Sequence, residues 1–170
     1  MTINRQDVPF LIICSLMDDA HALSMYFAYG SNLSQAQMGV RCPTAKVLGV
    51  AVLEGHRLSF TAFSRLWSGG VADVVETVGD KVWGLLYELM PEDLAALDIY
   101  EGYPHLYDRR LLHVTQEVNH SAVEAWVYFV ASKQDFVTPS AEYLAVLVEC
   151  AKEFEFPREY VADLESMPVR

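Results

Sequence analysis

A mixed, curved or barrel-like sheet with helices set between its strands is the fold the sequence predicts. Three features point there: seven runs with strand character, many of them long and apolar, helical periodicity in the intervals, and a length suited to one core. The chain has 170 residues, enough for one domain with a sizeable core and too few to expect two.

The organised domain is expected over residues 25–170, with 1–24 as an N-terminal extension. Within that extension Pro9 to Leu16 is apolar but too short to span a bilayer. It lacks a strongly basic n-region and runs into Met17-Asp18-Asp19, so it makes a poor export signal. From Met25 the aromatic run MYFAY reads as a strand stopping at Gly30. A helix follows from Asn32 or Ser34, where Ser34-x-x-Gln37 has capping-box spacing. Val47–Leu53 and His56–Phe63 read as two strands split by a hairpin turn at Glu54-Gly55. In the second, Leu58, Phe60 and Ala62 alternate with Arg57, Ser59 and Thr61, which buries one face.

Gly69-Gly70 is expected to break the chain before a strand over Val71–Glu76, and Gly79-Asp80 to turn into another over Val82–Leu89. Pro91 suits a first helical position, and Leu94 and Leu97 form a stripe that ends at Gly102. Tyr107–Thr115 and Ala122–Val130 complete the strands. Thr138-Pro139 opens a further helix with its stripe at Tyr143 or Leu144, Leu147, Cys150 or Ala151, and Phe154; Pro157 starts a last one through Leu164.

Composition narrows the function. Hydrophobic residues make up 52% and charged residues 21%, as in a globular protein. Twelve basic against 23 acidic residues give a formal charge of -11, which repels phosphate backbones, so no nucleic-acid partner is expected. Arg109-Arg110 lies in a strand pattern and makes no basic patch. Cys14, Cys42 and Cys150 are odd in number and far apart, which suits a reducing compartment, and the five histidines show no ligand spacing; no metal is expected. With no export signal or membrane span in view, the expected location is the cytoplasm.

Glu101 is the most informative residue. Positions 94, 97 and 101 share one helical side, so Glu101 extends the face that Leu94 and Leu97 bury. A carboxylate there is costly unless paired or functional, and the negative end of the helix dipole adds to the cost. Both effects favour the protonated acid and suit proton transfer. The alternative is a helix that frays before 101 and leaves Glu101 in water. The second feature is Tyr29-Gly30-Ser31-Asn32-Leu33, where a strand meets a helix and free N–H groups could hold a carboxylate or oxyanion. Gly-Ser-Asn is also ordinary turn and N-cap chemistry. Trp67, Trp83, Trp126 and Phe129 read as core.

In sequence order the chain carries Tyr26-Phe27-Ala28-Tyr29-Gly30-Ser31-Asn32-Leu33, Arg41-x-Pro43, Trp67-Ser68-Gly69-Gly70-Val71-Ala72 and Gly79-Asp80-x-Val82-Trp83-Gly84. Leu97-Asp98-x-x-Glu101-Gly102 with Tyr107, Ala141-x-Tyr143 with Ala151-Lys152-Glu153, and Pro157-x-Glu159-Tyr160 follow. With these motifs it resembles the γ-glutamylcyclotransferase family. The resemblance implies an α+β fold, a mixed barrel-like sheet with flanking helices. It implies a small-molecule γ-glutamyl substrate from which 5-oxoproline is released, without a cofactor, and an acid–base role for Glu101. It also implies substrate contacts from Tyr29, Gly30, Ser31, Asn32 and Leu33, with Tyr107, Tyr128 and Tyr143 lining the site, and it is compatible with a homodimer. A γ-glutamylamine cyclotransferase and a non-catalytic ligand-binding module of the same fold stay open. A basic residue at the leaving group would favour an amino acid there, with Arg65, Arg109 and Arg110 as candidates.

Overall fold

A computed structural model describes residues 22–170. The expected extension lies outside the described residues over 1–21, and Ser24 already opens the first strand. Along the chain run β1 (Ser24–Ala28), a 3-10 turn (Ser31–Leu33), α1 (Gln35–Arg41), β2 (Lys46–Ser64) and β3 (Gly69–Leu89). After these come α2 (Pro91–Glu101), β4 (Tyr107–Gln116), β5 (Ala122–Val130), α3 (Ala141–Glu153) and α4 (Arg158–Glu165).

The strands close a mixed barrel in the order β1-β3-β2-β4-β5. β1 lies antiparallel to β3, from Ser24 opposite Leu89 to Ala28 opposite Leu85, and closes the barrel through a parallel bridge to β5 at Tyr26 and Trp126. Phe27, Phe60, Leu85, Leu86, Leu89 and Val127 fill the core with essentially no exposure, and Leu97 of α2 and Leu147 of α3 complete it from outside the sheet. The expected α+β fold with a barrel-like sheet and flanking helices is the one observed.

Five strands stand where seven were expected. Glu54-Gly55 and Gly79-Asp80 do not reverse the chain: Glu54 pairs with Lys81 and His56 with Glu76, so one β2 residue faces four on β3. Gly55 and Gly79 sit at φ of 70° and 90°, a left-handed geometry that glycine adopts freely and that bends a bulged pair without ending it. The reversal between β2 and β3 lies at residues 65–68 instead. Gly69 and Gly70 likewise do not break the chain but open β3, because the main chain of Val137–Ser140 passes so close that no Cβ fits at either position.

That passing segment runs along β2. Gln134 N–H donates to the Thr61 carbonyl and Val137 N–H to that of Phe60, each at 2.8 Å, while Gly70 N–H donates to Thr138 O at 3.0 Å. The fully buried Asp73 carboxylate anchors it, accepting from Thr61 Oγ1, from Val130 N–H at 2.9 Å and from Lys133 Nζ. A buried charge needs such partners.

The helix ends follow their sequence signals with two differences. Ser34 caps α1 by accepting from Gln37 N–H at 3.4 Å, but Gln37's side chain accepts from Arg41 at 2.7 Å and does not complete the capping box. Thr138-Pro139 stays outside α3, which starts at Ala141 because Ser140 Oγ takes the Tyr143 N–H at 3.2 Å. Pro91 is in the first turn of α2, and Gly102 ends it at φ 66°, with Tyr103 N–H returning to Asp98 O at 2.9 Å.

Gly84 of β3 is buried against β1, where a Cβ would overlap the Ala28 carbonyl oxygen and stand 2.6 Å from Phe27 Cζ. Gly84→Ala is expected to destabilise the fold by about 2 kcal/mol or more, read as a lower urea midpoint at an unchanged slope.

Candidate active site

A cavity of about 620 Å³ opens where the 3-10 turn, the end of α2 and the β2–β3 reversal converge. Tyr29, Gly30, Ser31, Asn32, Glu101, Tyr107, Tyr128 and Tyr143 all line it, so these expected site residues share one wall although they come from five stretches of chain. Leu33 does not line it; its side chain is 2% exposed in the core and seats the turn.

Glu101 is the last residue of α2, so the helix does not fray before it. Gly102's left-handed conformation stops the helix there and leaves the carboxylate at the cavity. Asn32 Nδ2 donates to Glu101 Oε1 at 2.9 Å and to the Tyr26 hydroxyl at 2.8 Å. Asn32 Oδ1 accepts from Arg41 Nη1. Burial raises the Glu101 pKa above its usual 4.5, and the Asn32 hydrogen bond and the Arg41 charge pull back in the other direction. Burial is the larger effect, so the net shift favours the protonated acid.

The Gly30 turn is set by close packing. A Cβ on Gly30 would come within 3.2 Å of both Ala72 Cβ and the Tyr143 hydroxyl. Among the described residues, the N–H groups of Gly30 and Asn32 have no backbone acceptor in a turn or loop, and that of Ser31 meets the Tyr143 hydroxyl. They form the start of a short turn where an anion could be held. The tyrosine hydroxyls bind protein as well as facing the cavity. Tyr29 donates to Tyr128 O at 2.6 Å and Tyr107 to Ala72 O at 2.8 Å, while Tyr143 accepts from Ala72 N–H at 3.1 Å. Tyr128 donates to Asp98 Oδ1 at 2.6 Å, and Arg109 holds the other Asp98 oxygen at 3.0 Å. Burial pushes all four phenols upward, so they stay neutral.

Of the three candidate arginines, Arg65 lines the cavity, whereas Arg109 pairs with Asp98 and Arg110 with Glu76 at 3.2 Å. Tyr26, Arg41 and Tyr100 also reach the cavity, though the motif reading gave them no site role. Arg41 had one usable signal: a cation in the last turn of the helix that follows the Ser31-Asn32 turn. Among the described residues no group of three or more histidine, cysteine or acidic side chains is placed to hold a metal, and no helix is long and apolar enough to cross a membrane.

The sequence profile of the family described as gamma-glutamyl cyclotransferase, AIG2-like, matches residues 26–145. The chain is 34% identical to the gamma-glutamylcyclotransferase of Bos taurus over 151 residues, covering 84% of this chain and 78% of that protein. It is 30% identical to the Homo sapiens protein of the same description, with the same coverage. A solved structure named gamma-glutamyl cyclotransferase superposes with a TM-score of 0.82 at 28% identity, covering 88% of this chain and 90% of that one.

A carboxyl whose pKa is raised by folding favours the folded state below its unfolded value, and that contribution is lost as pH rises through the folded value. Glu101→Gln removes the buried charge, so at pH 7 the variant is expected to melt a few degrees above the wild type. The gap should close as pH falls below 4.5, which paired thermal melts across pH would read.

Proposed function

The chain belongs to the γ-glutamyl cyclotransferase, AIG2-like family, and from that premise we propose that it converts a γ-glutamyl compound into 5-oxoproline and a free amine or amino acid. The observation that carries this reading is the Glu101 carboxyl, buried at the cavity wall with one oxygen on Asn32 and its pKa raised.

Glu101 takes a proton from the substrate's α-ammonium. The freed amine attacks the γ-carbonyl carbon, forming the C–N bond of a five-membered lactam. The bond to the leaving nitrogen then breaks as Glu101 returns the proton to it, and the second proton that the attacking nitrogen sheds on becoming a lactam N–H goes to the released amine, which leaves as an ammonium. No water is consumed and the carboxylate ends as it began. Because the attack is intramolecular, the protein's main task is to hold the substrate folded, and a rigid wall serves that task. The Gly30–Asn32 turn at the cavity suits the substrate's α-carboxylate.

One feature supports an amino-acid leaving group over a simple amine. Arg65 stands on its wall and can meet a second carboxylate, and the other two candidate arginines are held by Asp98 and Glu76.

In a panel of γ-glutamyl amino acids and γ-glutamyl amines, the wild type is expected to release 5-oxoproline and Glu101→Gln to retain the fold and lose turnover. Equal turnover by both proteins would remove Glu101 from the chemistry. Absence of turnover by the wild type on every member would favour a binding module. In the same assay Arg65→Ala is expected to raise KM about tenfold for amino-acid leaving groups and to leave amine leaving groups unchanged.

A further inference from the structure

Asn32 stands between a cation and the carboxylate, and its amide could in principle face either way. As it lies, Oδ1 meets Arg41 Nη1 and Nδ2 meets Glu101 Oε1 at 2.9 Å. Its third neighbour, the Tyr26 hydroxyl at 2.8 Å, can donate or accept and so does not select an orientation. Arg41 does. A reversed amide would set its NH2 against guanidinium donors and its oxygen against the carboxylate.

The guanidinium itself is fully engaged at its two terminal nitrogens. Nη1 donates to Asn32 Oδ1 and to Ser31 Oγ at 3.3 Å. Nη2 donates to Gln37 Oε1 at 2.7 Å and to the Tyr100 hydroxyl at 2.8 Å. The plane also stacks on Tyr100, 3.8 Å from the ring centroid. Each terminal nitrogen carries two N–H groups, so four acceptors take all four of them. A lysine ammonium has no such planar fork.

We propose that Arg41 is a positioning residue: it fixes the Asn32 amide so that a donor always meets Glu101 Oε1, leaving the other carboxylate oxygen to move the proton. This inference rests on the cyclotransferase reading for its effect on rate, but its effect on Glu101 can be measured without turnover. The groups whose charge would act on Glu101 are Arg41 and Cys42 at the end of α1, Tyr26 and Tyr29 at β1, Tyr107 of β4 and Tyr143 of α3. Burial keeps the phenols and the thiol neutral, so Arg41 supplies the positive charge.

The test follows the Glu101 carboxyl by carbon-13 NMR in glutamate-labelled protein, assigned with Glu101→Gln. It compares wild type, Asn32→Ala, Arg41→Met, Arg41→Lys and the Asn32→Ala/Arg41→Met double variant, with kcat and KM on the preferred γ-glutamyl substrate. Arg41→Met is expected to raise the Glu101 titration midpoint and to lower kcat about tenfold to a hundredfold with KM little changed. Arg41→Lys keeps the charge and loses the fork, so it should hold the midpoint nearer the wild type yet keep most of the kcat loss. In the double variant the Arg41 change should add little to the Asn32 change. An unmoved midpoint in both Arg41 variants would overturn the proposal. So would additive effects in the double variant, or a raised KM at unchanged kcat, which would make Arg41 a substrate contact. A wild type that turns over nothing would remove the cyclotransferase reading, and the titrations would still decide the role of Arg41.

Discussion

The Glu101 carboxyl, at the negative end of α2 and inside a wall of tyrosines, is the constraint on which the site depends. Both burial and the helix dipole oppose its charge, so it is tolerated only beside a donor fixed in place. That donor is Asn32, 69 residues away in sequence. Its position requires the turn after β1 to pass close to β3 and α3. Gly30 allows that approach, since a Cβ there would press on Ala72 and Tyr143. β1 in turn is held between β3 and β5 by the closure of the barrel. The buried carboxyl, the glycine and the closed sheet are therefore parts of one requirement.

The tyrosines contribute by being held. Tyr107 and Tyr143 take the two sides of the Ala72 residue, its carbonyl and its N–H, and so tie β4 and α3 to β3 beside the cavity. Tyr29 is fixed on Tyr128 O, and Tyr128 on Asp98. Neutral rings anchored in this way form a stiff, weakly polar enclosure around the carboxyl. Such an enclosure preserves the burial that tunes Glu101.

Much of this was legible in the sequence because it depends on local spacing. The i, i+3, i+7 relation of Leu94, Leu97 and Glu101 and the stop at Gly102 put a carboxyl on an inward face without any knowledge of the partner. What depends on distant pairing was not legible. Gly55 and Gly79 look like hairpin glycines when read alone, and only the β2–β3 register turns them into a bulge. Gly69 and Gly70 look like breakers, yet they answer to a main-chain segment some seventy residues on. Arg41 was visible as a motif position, but its partners lie across a 3-10 turn that periodicity does not describe. Tyr128 and Tyr143 entered through family resemblance; nothing in their local pattern says that their hydroxyls meet Asp98 and Ala72.

The segment lying along β2 has a consequence for the protein in a crowded solution. β2 pairs with β4 only at Ala51 and Val52, so the length near Phe60 and Thr61 would otherwise present carbonyl groups ready to template a strand from another molecule. Val137 and Gln134 occupy those two carbonyls, and Lys133 fastens the strap to the buried Asp73. A loop without regular secondary structure thus covers an edge that could otherwise pair with another molecule, held by main-chain hydrogen bonds and by one ion pair to a buried carboxylate.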